Sequence, residues 1–211
     1  MRNVATGIDV FYPILPSSDW IRRLVPLGLA TVQLRLKDAA AAEIDRQIAE
    51  AREVCAAHRC QLVVNDYWQA ALDLGCDYVH LGQEDLAAAD VPALKQAGVR
   101  IGISTHSEAE LAIALAAEPD YVALGPIYET KLKVMKWAPQ GLARVGDWKR
   151  RLGGRPLVAI GGITPERAPG VVAAGADSVA VITDFMTAPD PRVRIQEWLE
   201  LTRSLSALDR H

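Results

Sequence analysis

The polar residues able to do chemistry fall at the ends of short apolar runs. The second run closes as Gln33-Leu34-Arg35-Leu36-Lys37. Side chains alternate along a strand, so Gln33, Arg35 and Lys37 share one face and the two leucines share the other. Two cations on an inward face are costly unless an anion or an internal carboxylate meets them. The third run ends Asn65-Asp66, and the fourth leads into Gln83-Glu84-Asp85. Carboxylates from neighbouring strand ends, with no thiolate beside them, suit a hard cation such as magnesium. That ion takes one or two carboxylates and completes its shell with water and phosphate oxygens. Taken singly, Asp66 equally suits a helix cap, and Glu84 or Asp85 a turn.

The fifth run ends Ser104-Thr105-His106. Ser104 can donate to a phosphate oxygen or cap the next helix. His106 can serve as a general base near neutral pH, or as a surface or capping residue. His80 reads as a satisfied core histidine. After the seventh run, Gly161-Gly162 offers backbone amides to an anion, and Ile182-Thr183 closes the eighth. Between Gly125 and about Gln140 no helical pattern is evident, and this stretch carries Thr130, Lys131, Lys133 and Lys136. It suits a lid that adds cations on closing. Two anion sites emerge, one metal-bridged and one metal-free. They fit an enzyme joining a diphosphate-bearing donor to a phosphate-bearing acceptor.

Such residues need a frame that gathers strand ends. Apolar runs at Val10–Leu15, Thr31–Leu36, Gln61–Val64, Tyr78–Leu81, Val99–Ile103, Tyr121–Leu124, Leu157–Ile160 and Ser178–Ile182 read as strands. Between them lie helical patterns at Asp19–Leu29, Ala41–His58, Tyr67–Leu74, Val91–Ala97, Ser107–Ala117, Leu142–Leu152, Pro165–Ala174 and Arg192–Leu205. Ser107 with Glu110 forms a capping-box pattern, and Thr164 before Pro165 marks a helix start. Gly28, Gly75, Gly98 and Gly175 stand where helices would end. Strand and helix alternate without a break in composition, which predicts an α/β chain folded as one (β/α)8 TIM barrel over residues 1–211. In that architecture the chemistry sits at the carboxyl ends of the strands. An open doubly wound sheet is the alternative, and the first strand lacks the dinucleotide fingerprint, reading ILPSSDW.

The bulk composition agrees. Half the residues are hydrophobic but only 6% are aromatic, so the core is aliphatic, as in sheets buried on both faces. A net charge of −3 gives no reason to expect nucleic acid or an anionic membrane as a partner. No secretory leader pattern opens the chain, and no apolar stretch approaches roughly 18 residues. Cys55, Cys60 and Cys76 form no metal-binding pair, and their odd number argues against a disulfide framework. Reduced, structural thiols in a cytoplasmic protein are expected. The sequence does not fix an oligomeric state, and a homo-oligomer is compatible with it.

Taken together, VQLRLKD, VVNDYW, VHLGQEDL, GISTHS, YVALGPIY, APQGL, VAIGGIT and AGADSVAVIT, in this order over nearly the whole chain, resemble the thiamine-phosphate synthase family. The resemblance implies a magnesium-dependent transfer. A 4-amino-2-methyl-5-pyrimidinylmethyl group would pass from its diphosphate to a thiazole phosphate, releasing pyrophosphate. It also implies roles by motif position. Gln33, Arg35, Lys37, Asn65, Ser104 and Lys133 would hold the pyrimidine diphosphate, with Lys37, Lys133 and Ser104 meeting charge on the leaving group. Asp66 and Asp85 would bind Mg2+. Thr130, Lys131, Leu132, Gly162, Ile182 and Thr183 would hold the thiazole phosphate. The chain departs from the family pattern at Leu132, where a hydroxyl is usual, and at Thr183-Asp184-Phe185, where serine usually stands first. Both departures lie on the acceptor side. A related thiazole tautomerase, for which His106 would be the base, and a ligand-binding regulator without turnover are the rival readings.

Overall fold

The computed structural model describes residues 7–37, 39–130 and 137–208. Eight parallel strands close into a barrel in chain order. They are β1 (Phe11–Leu15), β2 (Thr31–Leu34), β3 (Gln61–Asn65), β4 (Tyr78–Leu81), β5 (Arg100–Thr105), β6 (Tyr121–Leu124), β7 (Leu157–Ile160) and β8 (Ser178–Val181). β8 returns to β1, with Tyr12 opposite Ala180. No sheet edge is left open, and the doubly wound alternative is excluded.

Among the described residues ten α-helices connect and cover the strands: α1 (Ser18–Leu24), α2 (Ala41–Ala57), α3 (Trp68–Asp73), α4 (Gln83–Ala88), α5 (Val91–Gln96), α6 (Glu108–Ala116), α7 (Gly141–Leu152), α8 (Ala168–Ala173), α9 (Thr183–Met186) and α10 (Pro191–Leu208). Most expected elements are present with shifted ends, and three differ in substance. The first expected helix ends at Leu24 and continues as a 3-10 turn, Val25–Leu27, with Pro26 inside it. The expected start at Thr164 is not a helix cap. Residues 164–167 form a turn in which Thr164 bonds the Glu166 carboxylate at 2.6 Å, and α8 begins at Ala168. In α6, Ser107 caps the Glu110 amide as expected, but the Glu110 carboxylate takes the amide of His106, one residue early for a capping box.

The period-2 alternation sorts side chains into two cores. Outward residues such as Leu34, Leu36, Val64, Leu81 and Ile103 pack with the helices. Inward residues, among them Tyr12, Ile14, Val63, Tyr78, Tyr121, Ala123 and Val158, fill the barrel. Few aromatics are available, and the inner core concentrates three tyrosines in the space that small neighbours leave. Gly102 on β5 makes that space. A β-carbon there would overlap the hydroxyl-bearing end of the Tyr121 ring, which is fully buried. Gly102→Ala is therefore expected to cost about 1–3 kcal/mol through overpacking, read as a lower Tm. A variant with an unchanged melting curve would mean the ring can move aside.

Candidate functional site

A cavity of about 1230 Å³ opens at the carboxyl ends of the strands. Gln33, Arg35, Lys37, Asn65 and Ser104 line one side, and Thr130, Gly161, Gly162, Ile182 and Thr183 line the other. Lys131, Leu132, Lys133 and Lys136 lie outside the described residues.

The strand geometry explains the first group. Gln33 points into the barrel and is 2% exposed, while Leu34 and Leu36 join the outer core. β2 ends at Leu34, yet the backbone continues the ladder for one residue, with the Arg35 amide bonding the Leu15 carbonyl at 2.9 Å. That bond keeps Arg35 on the inward side, half-buried, with Lys37 exposed beyond it. Neither forms an ion pair with a carboxylate among the described residues, so the internal salt bridge that would have explained them is not seen there. On β3, Asn65 is 5% exposed. Its Nδ2 has no hydrogen bond of good geometry, although it lies close enough to Asp66 to favour that carboxylate's charged form. A buried donor left open beside two cations is what an anionic ligand would satisfy.

Asp66 and Asp85 do not sit on the cavity wall. They meet each other one residue beyond Asn65, with Arg35 within electrostatic reach. Asp66 takes φ +65°, an unusual conformation for a residue other than glycine. Its side chain does not cap α3, whose first residues lack a side-chain cap. Asp85 stands in the first turn of α4 rather than in an isolated turn. Burial, and then the charge and hydrogen bond of Asp85, push the Asp66 carboxyl up to about 6, with Arg35 opposing. Two carboxylates held against their mutual repulsion fit a divalent cation, which would relieve it. No third acidic, histidine or cysteine ligand joins them among the described residues. The donor set therefore matches magnesium, with its preference for water and phosphate oxygens, better than zinc.

Ser104 faces the cavity from β5, and its Oγ lies 2.8 Å from His80 Nε2. His80 is buried, and its other nitrogen lies 2.7 Å from the Tyr121 hydroxyl. Desolvation, and then Arg35, lower its pKa to about 4, so the ring is neutral at physiological pH. His80 is thus a satisfied interior histidine, as its position suggested. His106 reaches the cavity rim, where Nδ1 lies 2.8 Å from the Glu110 carboxylate and the ring stacks on Trp137 at 5.7 Å.

On the opposite side Gly162 takes φ +63°, and a β-carbon there would collide with the Glu129 carbonyl. The glycine lets the β7 turn pass under the segment that carries Thr130. Thr183 opens α9, and the unusual Asp184 that follows is occupied. Arg194 grips its carboxylate with two bonds of 2.8 Å, and Trp198 Nε1 donates to it at 2.7 Å. Phe185 is fully buried, edge-on to Trp20. This departure from the family pattern thus attaches α10 to the barrel.

Three residues at or below the cavity escaped sequence reasoning. Tyr12 and Tyr121 share the inward face of their strands with Ile14 and Ala123, and alternation alone could have flagged their hydroxyls. Arg167 had no local signal. Its guanidinium lies 4.5 Å from the Tyr128 ring centre and bonds the Gly162 carbonyl at 2.6 Å.

The chain has close relatives with this architecture. A family model described as thiamine monophosphate synthase matches residues 13–185. The thiamine-phosphate synthase of Rhizobium etli is 57% identical over 195 residues, covering 92% of this chain and 96% of its own. That of Cronobacter sakazakii is 46% identical over 190 residues, 90% of each chain. The solved thiamine phosphate pyrophosphorylase of Pyrococcus furiosus superposes with a TM-score of 0.80 at 25% identity, covering 96% of this chain and 98% of that one. A barrel closed in chain order, with the family's motifs at its strand ends and this identity over nearly its whole length, makes the chain a member of the thiamine-phosphate synthase family, transferases of thiamine biosynthesis.

Proposed function

We propose that the cavity joins 4-amino-2-methyl-5-pyrimidinylmethyl diphosphate to 4-methyl-5-(2-phosphoethyl)thiazole. The observation that carries this reading is the cluster on one wall and just behind it. Arg35 and Lys37 form no ion pair among the described residues, Asn65 holds an open donor, and Asp66 is crowded against Asp85. Gln33, Arg35, Lys37, Asn65 and Ser104 would hold the donor, with Lys133 from outside the described residues. Thr130, Gly162, Ile182 and Thr183 would hold the acceptor phosphate, with Lys131 and Leu132 also outside them.

Asp66 and Asp85 would hold Mg2+. Bound there, the ion supplies positive charge to the diphosphate. The bond from the pyrimidinylmethyl carbon to the diphosphate oxygen breaks, and its electron pair leaves with pyrophosphate. The thiazole nitrogen supplies the pair for the new carbon–nitrogen bond. Arg35, Lys37 and Ser104 place positive charge and a hydroxyl where negative charge grows on the leaving group, so no covalent nucleophile is required. No described helix is long and apolar enough to cross a membrane. Cys55, Cys60 and Cys76 are buried and stand as thiols, which supports the cytoplasmic location this reading assumes.

Arg167 adds a cation on the acceptor side. One guanidinium N–H is taken by the Gly162 carbonyl, and others remain for a phosphate. Arg167→Gln is expected to raise the acceptor KM about 10-fold and leave the donor KM unchanged, since one charge-assisted contact is worth roughly 1.5–3 kcal/mol before solvent screening. Steady-state kinetics with each substrate varied in turn will check this.

The overall reading is tested by giving the purified protein either substrate alone and then both, with magnesium. Thiamine phosphate should form only when both are present. Binding without product would fit a regulator, and isomerisation of a thiazole carboxylate phosphate would fit a tautomerase.

A further inference from the structure

At the cavity floor an amide, three hydroxyls and an imidazole from five strands form one hydrogen-bonded line. Gln33 Nε2 donates to the Tyr12 hydroxyl at 3.0 Å, and that hydroxyl lies 3.1 Å from the hydroxyl of Tyr121. Tyr121 Oη lies 2.7 Å from His80 Nδ1, and His80 Nε2 lies 2.8 Å from Ser104 Oγ. Tyr12 and Tyr121 are 1% and 0% exposed and stand off the cavity lining. Water is therefore not at hand to satisfy a tyrosine hydrogen that points the wrong way, and the line must have a direction.

The direction follows from counting donors. Flanked by two hydroxyls and no carboxylate among the described residues, the imidazole is uncharged, with one N–H and one acceptor nitrogen. Suppose Nδ1 carried the hydrogen. It would donate to Tyr121, whose own hydrogen would turn to Tyr12. With the Gln33 amide placed so that Nε2 faces Tyr12, that hydroxyl already receives a hydrogen, and its own would find no acceptor in the line. A buried hydroxyl hydrogen left unbonded carries the desolvation penalty in full.

The opposite direction satisfies every member. Gln33 donates to Tyr12, Tyr12 to Tyr121, and Tyr121 to Nδ1. Nε2–H then donates to Ser104 Oγ. The hydrogen of Ser104 is the one left over, and Ser104 lines the cavity. We propose that Tyr12, Tyr121 and His80 are positioning residues that fix Ser104 as a hydrogen-bond donor into the cavity. The same orientation of Gln33 leaves its Oε1 as the amide atom available to a ligand N–H. The floor thus offers one fixed donor and one fixed acceptor. The proposal rests on the donor-diphosphate reading for its recipient, a phosphate oxygen that gains charge as the carbon–oxygen bond breaks.

The first test needs no turnover. The protein with 15N-labelled histidine is observed by NMR, and the His80 resonances are assigned by their loss in His80→Gln. A protonated Nε2 and an unprotonated Nδ1 are expected, and the reverse tautomer would overturn the proposal even if the coupling reaction proceeds. The second test is kinetic. Tyr121→Phe should lower kcat about 10-fold in the otherwise unchanged enzyme, a fraction of the 100-fold or more typical of losing a transition-state donor outright. In a Ser104→Ala background it should change kcat by less than about twofold, because the two substitutions remove one effect. Equal slowing in both backgrounds would show that Tyr121 acts on the fold and not through Ser104. Failure of the coupling reaction itself would be seen separately, as absence of product from the unsubstituted protein.

Discussion

Asp85→Asn should lower kcat/KM about 100- to 1000-fold while raising the melting temperature of the unliganded protein. The first effect follows from losing one of two carboxylates proposed to hold the cation beside the leaving diphosphate. The second follows from Asp66, whose carboxyl is pushed up to about 6 by burial and then by Asp85. Its folded pKa lies above the unfolded value, so the unfolded chain gives up its proton first as pH rises. Stability therefore falls from about pH 4 to about pH 6, and the cost is complete above that. A two-unit rise corresponds to roughly 3 kcal/mol. Burial accounts for the larger share, and solvent reaches the half-buried group, so removing the charge of Asp85 should return about 1 kcal/mol. Thermal melts between pH 4 and 8 should show Asp85→Asn gaining most above pH 6 and least near pH 4. Protonation of Asp66 competes with the metal, so the magnesium concentration needed for half-maximal activity should rise as pH drops through about 6. Full activity in Asp85→Asn would remove the metal assignment.

Asp184→Ala should destabilise the protein by about 2–4 kcal/mol and hardly change the KM for either substrate. The Asp184 side chain is only 9% exposed, and its loss would leave Arg194 and the Trp198 N–H without their shared acceptor. Breaking a buried pair costs about 3–5 kcal/mol, and Arg194, about a quarter exposed, recovers part of that from water. Trp198 also stacks on Phe11 of β1 at 5.0 Å, so the loss reaches the barrel wall. Denaturant unfolding gives the stability and steady-state kinetics the KM values. A tenfold rise in acceptor KM with unchanged stability would show that Asp184 faces a ligand and not α10.

The strand count and the inward face of β2 were legible because alternation is a local property of the chain. Gln33, Arg35 and Lys37 separate from Leu34 and Leu36 on that ground alone, and the cavity wall follows once the strand ends are gathered. What the sequence concealed had physical causes. α4 and α9, with six and four residues, are too short to show a helical period. The turn at residues 164–167 depends on a bond between Thr164 and Glu166 that competes with capping. The contact between Tyr12 and Tyr121 spans 109 residues and exists only because β8 returns to β1. Arg167 enters the site through its packing on Tyr128, which no sequence period encodes.

The most direct measurement is product stoichiometry in one reaction. The purified protein is mixed with pyrimidine diphosphate, thiazole phosphate and magnesium, and both thiamine phosphate and pyrophosphate are counted over time. They should appear in equal amounts, cease when the metal is chelated and resume when magnesium is restored. Pyrophosphate without thiamine phosphate, or neither product from folded protein under varied conditions, would contradict the account.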